Sequence, residues 1–196
     1  RFIEHSSEEV APDVRRQTTV LHTPRGDLIG VDEFHRGEST RWHVKPPVTS
    51  AEELEMLQEL PWSVDEAWIE SAVKGYGRAD AAAGEHGVTR LGLSSPIVCI
   101  SGCMPFELFL ELSLTENRWF HDLCEEITRR QLIMLDKLFA AGVRFGGTAN
   151  IGGSEQCTPC MMRPEAFDEF VTPYDGRIVK RLKEAGLAVN MHCHGK

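Results

Sequence analysis

The sequence predicts an α/β protein built on a parallel (β/α)8 barrel, present here as an incomplete N-terminal portion. Apolar runs that suit buried strands begin near residues 97, 143 and 187, so the repeats are 46 and 44 residues long. Helical patterns fill the two intervals, and strand–helix–strand spacing of this length means parallel pairing. The third strand is followed at once by the end of the sequence, with no helix to cover it. A doubly wound sheet fits the same repeats. The uncovered strand, set against the usual barrel length of about 250 residues, favours a longer barrel of which this is a part.

In order along the chain, residues 1 to 20 are polar and without pattern. Thr18 to Val31 reads as a hairpin with Pro24-Arg25-Gly26-Asp27 as its turn. Residues 38 to 49, with Trp42, His43 and Pro46-Pro47, read as an extended connection. Ser50-Ala51-Glu52-Glu53 is a capping box, followed by Leu54, Leu57 and Leu60 at helical spacing and stopped by Pro61. A second box, Ser63-Val64-Asp65-Glu66, opens a helix with Val64, Trp68 and Ala72 on one face. Ala51 to Glu70 holds seven acidic residues and no basic one, which a solvated helix face explains. Residues 1–95 are thus a hairpin and helical segment of the barrel domain, and 96–196 its βα repeats.

Ile97 to Ser101 is the first expected strand. Helices follow from about Pro105 to Leu112 and from about Glu116 to Ala141, the second with Phe120, Leu123, Ile127, Met134 and Leu138 on an inward stripe and Gly142 closing it. Val143 to Ala149 is the next strand, and Ile151 to Arg163 a loop. Pro164 starts a helix that Thr172-Pro173 restarts and Gly186 ends. Leu187 to Met191 is the last strand, bounded by Gly186 and Gly195.

The 196 residues suit one domain with a sizeable core. Apolar content of 41% and charged content of 26% are ordinary for a globular protein, and a net charge of −9 argues against nucleic acid or an anionic membrane as partner. No segment approaches the roughly 20 apolar residues of a membrane span, and the N-terminus lacks the apolar core of a signal peptide. The six cysteines do not form the dense framework of a small secreted domain, so they are read as reduced and the compartment as cytoplasmic.

In a parallel architecture functional residues gather at the C-terminal ends of the strands. The three ends are Ser101-Gly102-Cys103-Met104, Asn150 to Cys160, and His192-Cys193-His194-Gly195. Alternation along a strand puts His192 and His194 on one side and Cys193 on the other. Two imidazoles so placed can grip one metal ion; two surface histidines bonded to neighbours is the alternative. Imidazoles, thiols and one carboxylate at one rim suit zinc. Glu155, Cys157 and Cys160 are the candidate catalytic residues lining the cleft. Gly146 and Gly147 would let backbone approach a bound cofactor, with Cys103 beside it. Cys157-x-x-Cys160 has no second pair, so coincidence, metal or substrate contact, and redox chemistry all stay open. The glycines match neither a phosphate loop nor a dinucleotide fingerprint, and no Gly-x-Ser-x-Gly elbow occurs. His22, His35, His43, His86 and His121 are scattered, and Asp122, Glu125 and Glu126 suit a solvated helix.

Phe145-Gly146-Gly147, Pro164-Glu165-Ala166-Phe167-Asp168-Glu169-Phe170 running on to Pro173-Tyr174, Leu182 to Gly186, and His192-Cys193-His194-Gly195 together resemble the central part of the uroporphyrinogen decarboxylase superfamily. Thr23 to Leu28 and Pro47-Val48 through Leu60 are similar to its methyltransferase-like branch, that of methylcobalamin:coenzyme M methyltransferase. The resemblance implies a (β/α)8 barrel. Members that decarboxylate a tetrapyrrole use no cofactor and hold substrate carboxylates on an arginine-rich N-terminal loop; Arg15-Arg16-Gln17 is a poor match to it. Corrinoid-linked methyltransferases hold zinc through a His-x-Cys strand end and a later cysteine, and the zinc activates a thiol that attacks a methyl group on cobalt. His192 matches the first ligand, His194 stands where that branch has cysteine, and the third ligand would lie beyond Lys196. The resemblance therefore implies zinc-dependent methyl transfer with a corrinoid as methyl donor, a small-molecule substrate, a corrinoid protein as partner and a homodimer. Cofactor-free decarboxylation and non-catalytic binding of a corrinoid or small carboxylate are the alternatives.

Overall fold

The computed structural model describes residues 2–194. Contacts divide the chain into two units, Arg1–Trp62 with Ser101–Glu116, and Ser63–Ile100 with Asn117–Lys196.

The first unit is a four-stranded antiparallel meander with helices. Its strands are β1 (Ile3–Ala11), β2 (Val14–Thr23), β3 (Gly26–His35) and β4 (Arg41–Lys45), paired in that order. Residues 3–11 and 14–20, expected to be without pattern, are therefore corrected to strand. β1 is exposed along its length, so no apolar alternation marks it; its pairing with β2, Ile3 opposite Leu21 and Ser7 opposite Gln17, defines it. The hairpin turn stands where the sequence puts it. Thr23 Oγ1 donates to the Gly26 carbonyl at 2.7 Å and accepts from the Arg25 N–H at 3.2 Å. Residues 41–45, read as a connection, form the fourth strand.

Helix α1 (Ala51–Gln58) is capped as expected, with Ser50 Oγ accepting from the Glu53 N–H. Glu53 reaches back one residue further than a standard box and accepts from both the N–H and the hydroxyl of Thr49, at 2.6 and 2.7 Å. The acidic run does more than solvate. Glu52, Glu55 and Glu59 all bind the guanidinium of Arg25, fastening the hairpin turn to α1.

The second unit carries the parallel sheet, β5 (Leu91–Ser94), β6 (Thr148–Gly152) and β7 (Ala188–His192), in that order. Its helices are α2 (Glu66–Ala83), nearly all of α3 (Pro96–Ser101), α5 (Asn117–Ala140), α6 (Ala166–Phe170) and α7 (Thr172–Glu184); α4 (Phe106–Thr115) belongs to the first unit. An α/β chain with a parallel sheet is thus observed, and three parallel strands are described rather than a closed barrel.

Two expected strands are corrected. Ile97 to Ser101 lies in a helix. A short apolar run does not separate strand from helix by period. Pro96 suits a first helical position, and the Ser95 carbonyl accepts from the N–H groups of Val98 and Cys99. Ile97 and Ile100, three apart, are the buried pair. The strand lies just before, at Leu91–Ser94. Val143 to Ala149 is a turn rather than a strand over its first part. Phe145, Gly146 and Gly147 have φ of +48°, +56° and +75°, and extended backbone begins at Thr148. The second capping box is displaced too: Asp65, not Ser63, caps α2, accepting from the Trp68 N–H at 2.8 Å.

The core of this unit joins Leu91, Ala149 and Ile151 of the sheet to Leu135, Leu138 and Phe139 of α5 and Ile178 and Leu182 of α7, with Phe145 beneath. The buried stripe of α5 runs through Phe120, Cys124, Thr128 and Leu135 with Leu123, Leu138 and Phe139, so Ile127 and Met134 fall at its margin. Thr128 is buried because its hydroxyl donates to the Cys124 carbonyl. No described helix is long and apolar enough to cross a membrane.

Candidate metal centre

The ends of β6 and β7 are adjacent and in register, Gly152 opposite His192. Within β7 Val189 packs against the core and Leu187 is buried just before it; the strand ends on His192, with His194 two residues on. The two rings meet as alternation predicts. Their Nε2 atoms share a hydrogen bond at 2.8 Å, and the rings stand edge to face with centroids 4.4 Å apart. Gly195, read as closing this segment, lies outside the described residues.

After β6 the chain turns sharply. Gly153 has φ +96°, and a Cβ there would meet the Val98 side chain at 2.8 Å, so glycine is required on both counts. Its N–H donates to the His192 carbonyl at 3.3 Å. The next turn, Ser154–Cys157, carries Glu155 toward the histidines. One carboxylate oxygen of Glu155 and one nitrogen from each imidazole lie within 4.8 Å of one another.

This donor set fits a divalent ion. Two imidazoles and a carboxylate are a known ligand set of catalytic zinc, which keeps a fourth position open. With zinc–nitrogen bonds of about 2.0–2.1 Å and tetrahedral angles, the two nitrogens would stand roughly 3.3 Å apart. The observed 2.8 Å needs about half an ångström of separation. Exposed rings at the tip of a strand can supply it by small rotations.

The other candidates stand elsewhere. Cys157 is fully buried; burial first, then the carboxylates of Asp175 and Glu169, push its thiol up to about 12. Cys160 is exposed, and neither thiol joins the three-residue group among the described residues. At about pH 8, iodoacetamide is expected to label Cys160 and Cys193 at least about tenfold faster than Cys157, because the thiolate is the reactive form; peptide mass mapping of the native protein checks this. Cys103 belongs to the first unit, half-buried, its carbonyl accepting from the Val48 N–H. Gly146 and Gly147 precede β6, at the opposite end of the sheet from His192. Among the described residues, the candidates that converge are Glu155, His192 and His194, while Gly146 and Gly147 stand before β6 because the left-handed turn they form delays the strand to Thr148.

Buried polar residues that the sequence does not flag lie beneath this rim. Asp175, in the first turn of α7, accepts from the hydroxyl of Ser95 at 2.9 Å and of Ser154 at 3.5 Å. Burial pushes its carboxyl up to about 6 from 3.8, against the lowering effect of the two serines. The folded state therefore favours the neutral form. Its contribution to stability is present below about pH 4 and is lost as pH rises to about 6, a change of at most about 3 kcal/mol. Asp175→Asn removes that dependence, so the stability of the variant relative to wild type is expected to rise between pH 4 and pH 7; urea melts across that range check it. A buried carboxyl among small polar side chains carries no periodic signal. Gln156, next to Glu155, holds a buried side-chain carbonyl with no hydrogen-bond partner among the described residues.

A parallel βα sheet with a carboxylate and two imidazoles collected at its strand ends defines an α/β protein whose candidate ligands lie where such folds place their chemistry. Residues 28–196, more than half of the chain, match the uroporphyrinogen decarboxylase (URO-D) family model. The chain belongs to that family, and membership supports an enzyme of its superfamily. No curated protein and no solved structure matches it.

Proposed function

We propose that this chain is part of a zinc-dependent methyltransferase of the URO-D superfamily, moving a methyl group between a corrinoid and a thiol or related acceptor. The observation that carries the reading is the convergence of Glu155, His192 and His194 within 4.8 Å at the strand tips. His192 and His194 would hold the ion through their Nε2 atoms as neutral imidazoles, and Glu155 through its carboxylate. Bound zinc lowers the pKa of a thiol acceptor, which is the chemistry methyl transfer requires. Glu155 supplies one negative charge where the related branch takes two from cysteine thiolates, so with His194 in the cysteine position these three ligands carry one negative charge fewer and would leave the ion a stronger Lewis acid. Cys157, buried and held protonated, supports the turn rather than the reaction.

The test uses the full-length protein with methylcobalamin and a thiol. Thiol-dependent demethylation of the corrinoid, abolished by a chelator and restored by zinc, is the expected result. Porphyrinogen decarboxylation indifferent to the chelator would replace this reading. Tight corrinoid binding without turnover in either assay would make the protein a binding module.

A further inference from the structure

Ser95, Ser154 and Asp175 are 0%, 1% and 2% exposed, and they come from three different elements. Ser95 follows β5, and its N–H donates to the Gly152 carbonyl at the tip of β6. Ser154 follows β6 and immediately precedes Glu155. Asp175 stands on α7, the helix that leads to β7. At this burial the two hydroxyls are withdrawn from bulk solvent, so their partners are set by the fold. The two carboxyl oxygens of Asp175 accept one hydroxyl each, from Ser95 at 2.9 Å and from Ser154 at 3.5 Å. The turn is also held from within, since Thr158 donates its N–H and its hydroxyl to the Glu155 carbonyl. Backbone bonds thus fix where the turn runs, and the serine–carboxylate bonds fix how it is rotated.

We propose that Asp175 is a positioning residue for the metal ligand Glu155: through Ser154 it sets the orientation of the turn that aims the Glu155 carboxylate at His192 and His194. This inference rests on reading Glu155 as a ligand. Asp175 is not one of the three candidate ligands. It acts as the outer partner that orients a ligating group, and loss of such partners weakens metal binding by about 10–100-fold.

The test measures Co(II) binding to the full-length protein by competition with a chromophoric chelator, together with the visible spectrum of the bound ion. Asp175→Asn and Ser154→Ala are each expected to weaken Co(II) binding by about 10–100-fold and to alter the intensity of the visible bands, while the thermal transition stays cooperative. The double variant is expected to lose no more than the stronger single one, because both act on the Ser154–Asp175 contact. Wild-type affinity and spectrum in Ser154→Ala would overturn the proposal, and that variant decides alone if Asp175→Asn does not fold. Unchanged Co(II) binding in His192→Ala would overturn the metal centre itself, and this inference with it. Loss of binding in His192→Ala with none in Ser154→Ala or Asp175→Asn would remove only the role of Asp175.

Discussion

Replacing His192 by alanine is expected to strip the full-length protein of its zinc, from near one equivalent per chain to a small fraction of that after dialysis. Apparent binding energies of roughly 10–16 kcal/mol for four-ligand zinc sites correspond to about 3 kcal/mol per ligand, or about a hundredfold in affinity for each one removed. The fold should not suffer, since His192 is exposed at the end of β7. Its main interaction is the bond to His194. His194→Ala is expected to behave alike. Elemental analysis of wild type and both variants decides the matter: equal zinc in all three would remove the metal centre, and with it the proposed methyl transfer. His43→Ala is the control, because His43 lies in the first unit and pairs with Asp32.

Gly146→Ala is expected to destabilise the fold by about 2–5 kcal/mol. A left-handed residue costs an alanine about 1–2 kcal/mol, and overpacking adds about 1–3. Gly146 has φ +56°, and a Cβ there would run into the Thr89 carbonyl oxygen and stand 3.1 Å from Val88 Cβ. Both obstacles belong to the segment leading into β5, and a backbone oxygen cannot swing aside as a side chain can. Gly147 is the built-in comparison. Its φ is +75°, but a Cβ would meet nothing within 4 Å, so Gly147→Ala should cost only the left-handed penalty of about 1–2 kcal/mol. Denaturant melts of the two variants check the ordering. Equal losses would mean that backbone conformation alone demands this glycine pair.

The features that the sequence shows best are those with a local chemical cause. The hairpin turn at Thr23 to Gly26, the Ser50 cap and the glycine at φ +85° after α5 each follow from a few adjacent residues. The His192–His194 pairing is legible because the last strand is: it is expected over Leu187–Met191 and found over Ala188–His192, so the alternation of its side chains carries through. Glu155 is legible as a residue at a strand end, but not as a neighbour of the histidines. That depends on β6 starting at Thr148, which the left-handed Phe145-Gly146-Gly147 turn imposes and no apolar pattern announces. β1 hides for the opposite reason: with both faces exposed, only its partner strand identifies it. Asp175 has no signal at all. An acidic residue in the first turn of a helix is what any solvated N-terminus favours, and its burial arises only when α7 packs against two strand ends.

Glu155 and His192 are 37 positions apart in sequence (192 less 155) and reach the same point from neighbouring strands. An ion shared between them would staple a loop that encloses α6 and α7, and closing a loop of that length costs the unfolded chain entropy that the folded one has already given up. Occupancy would therefore raise the melting temperature as ligand concentration rises, and the protein could report its own metal status through its resistance to heat.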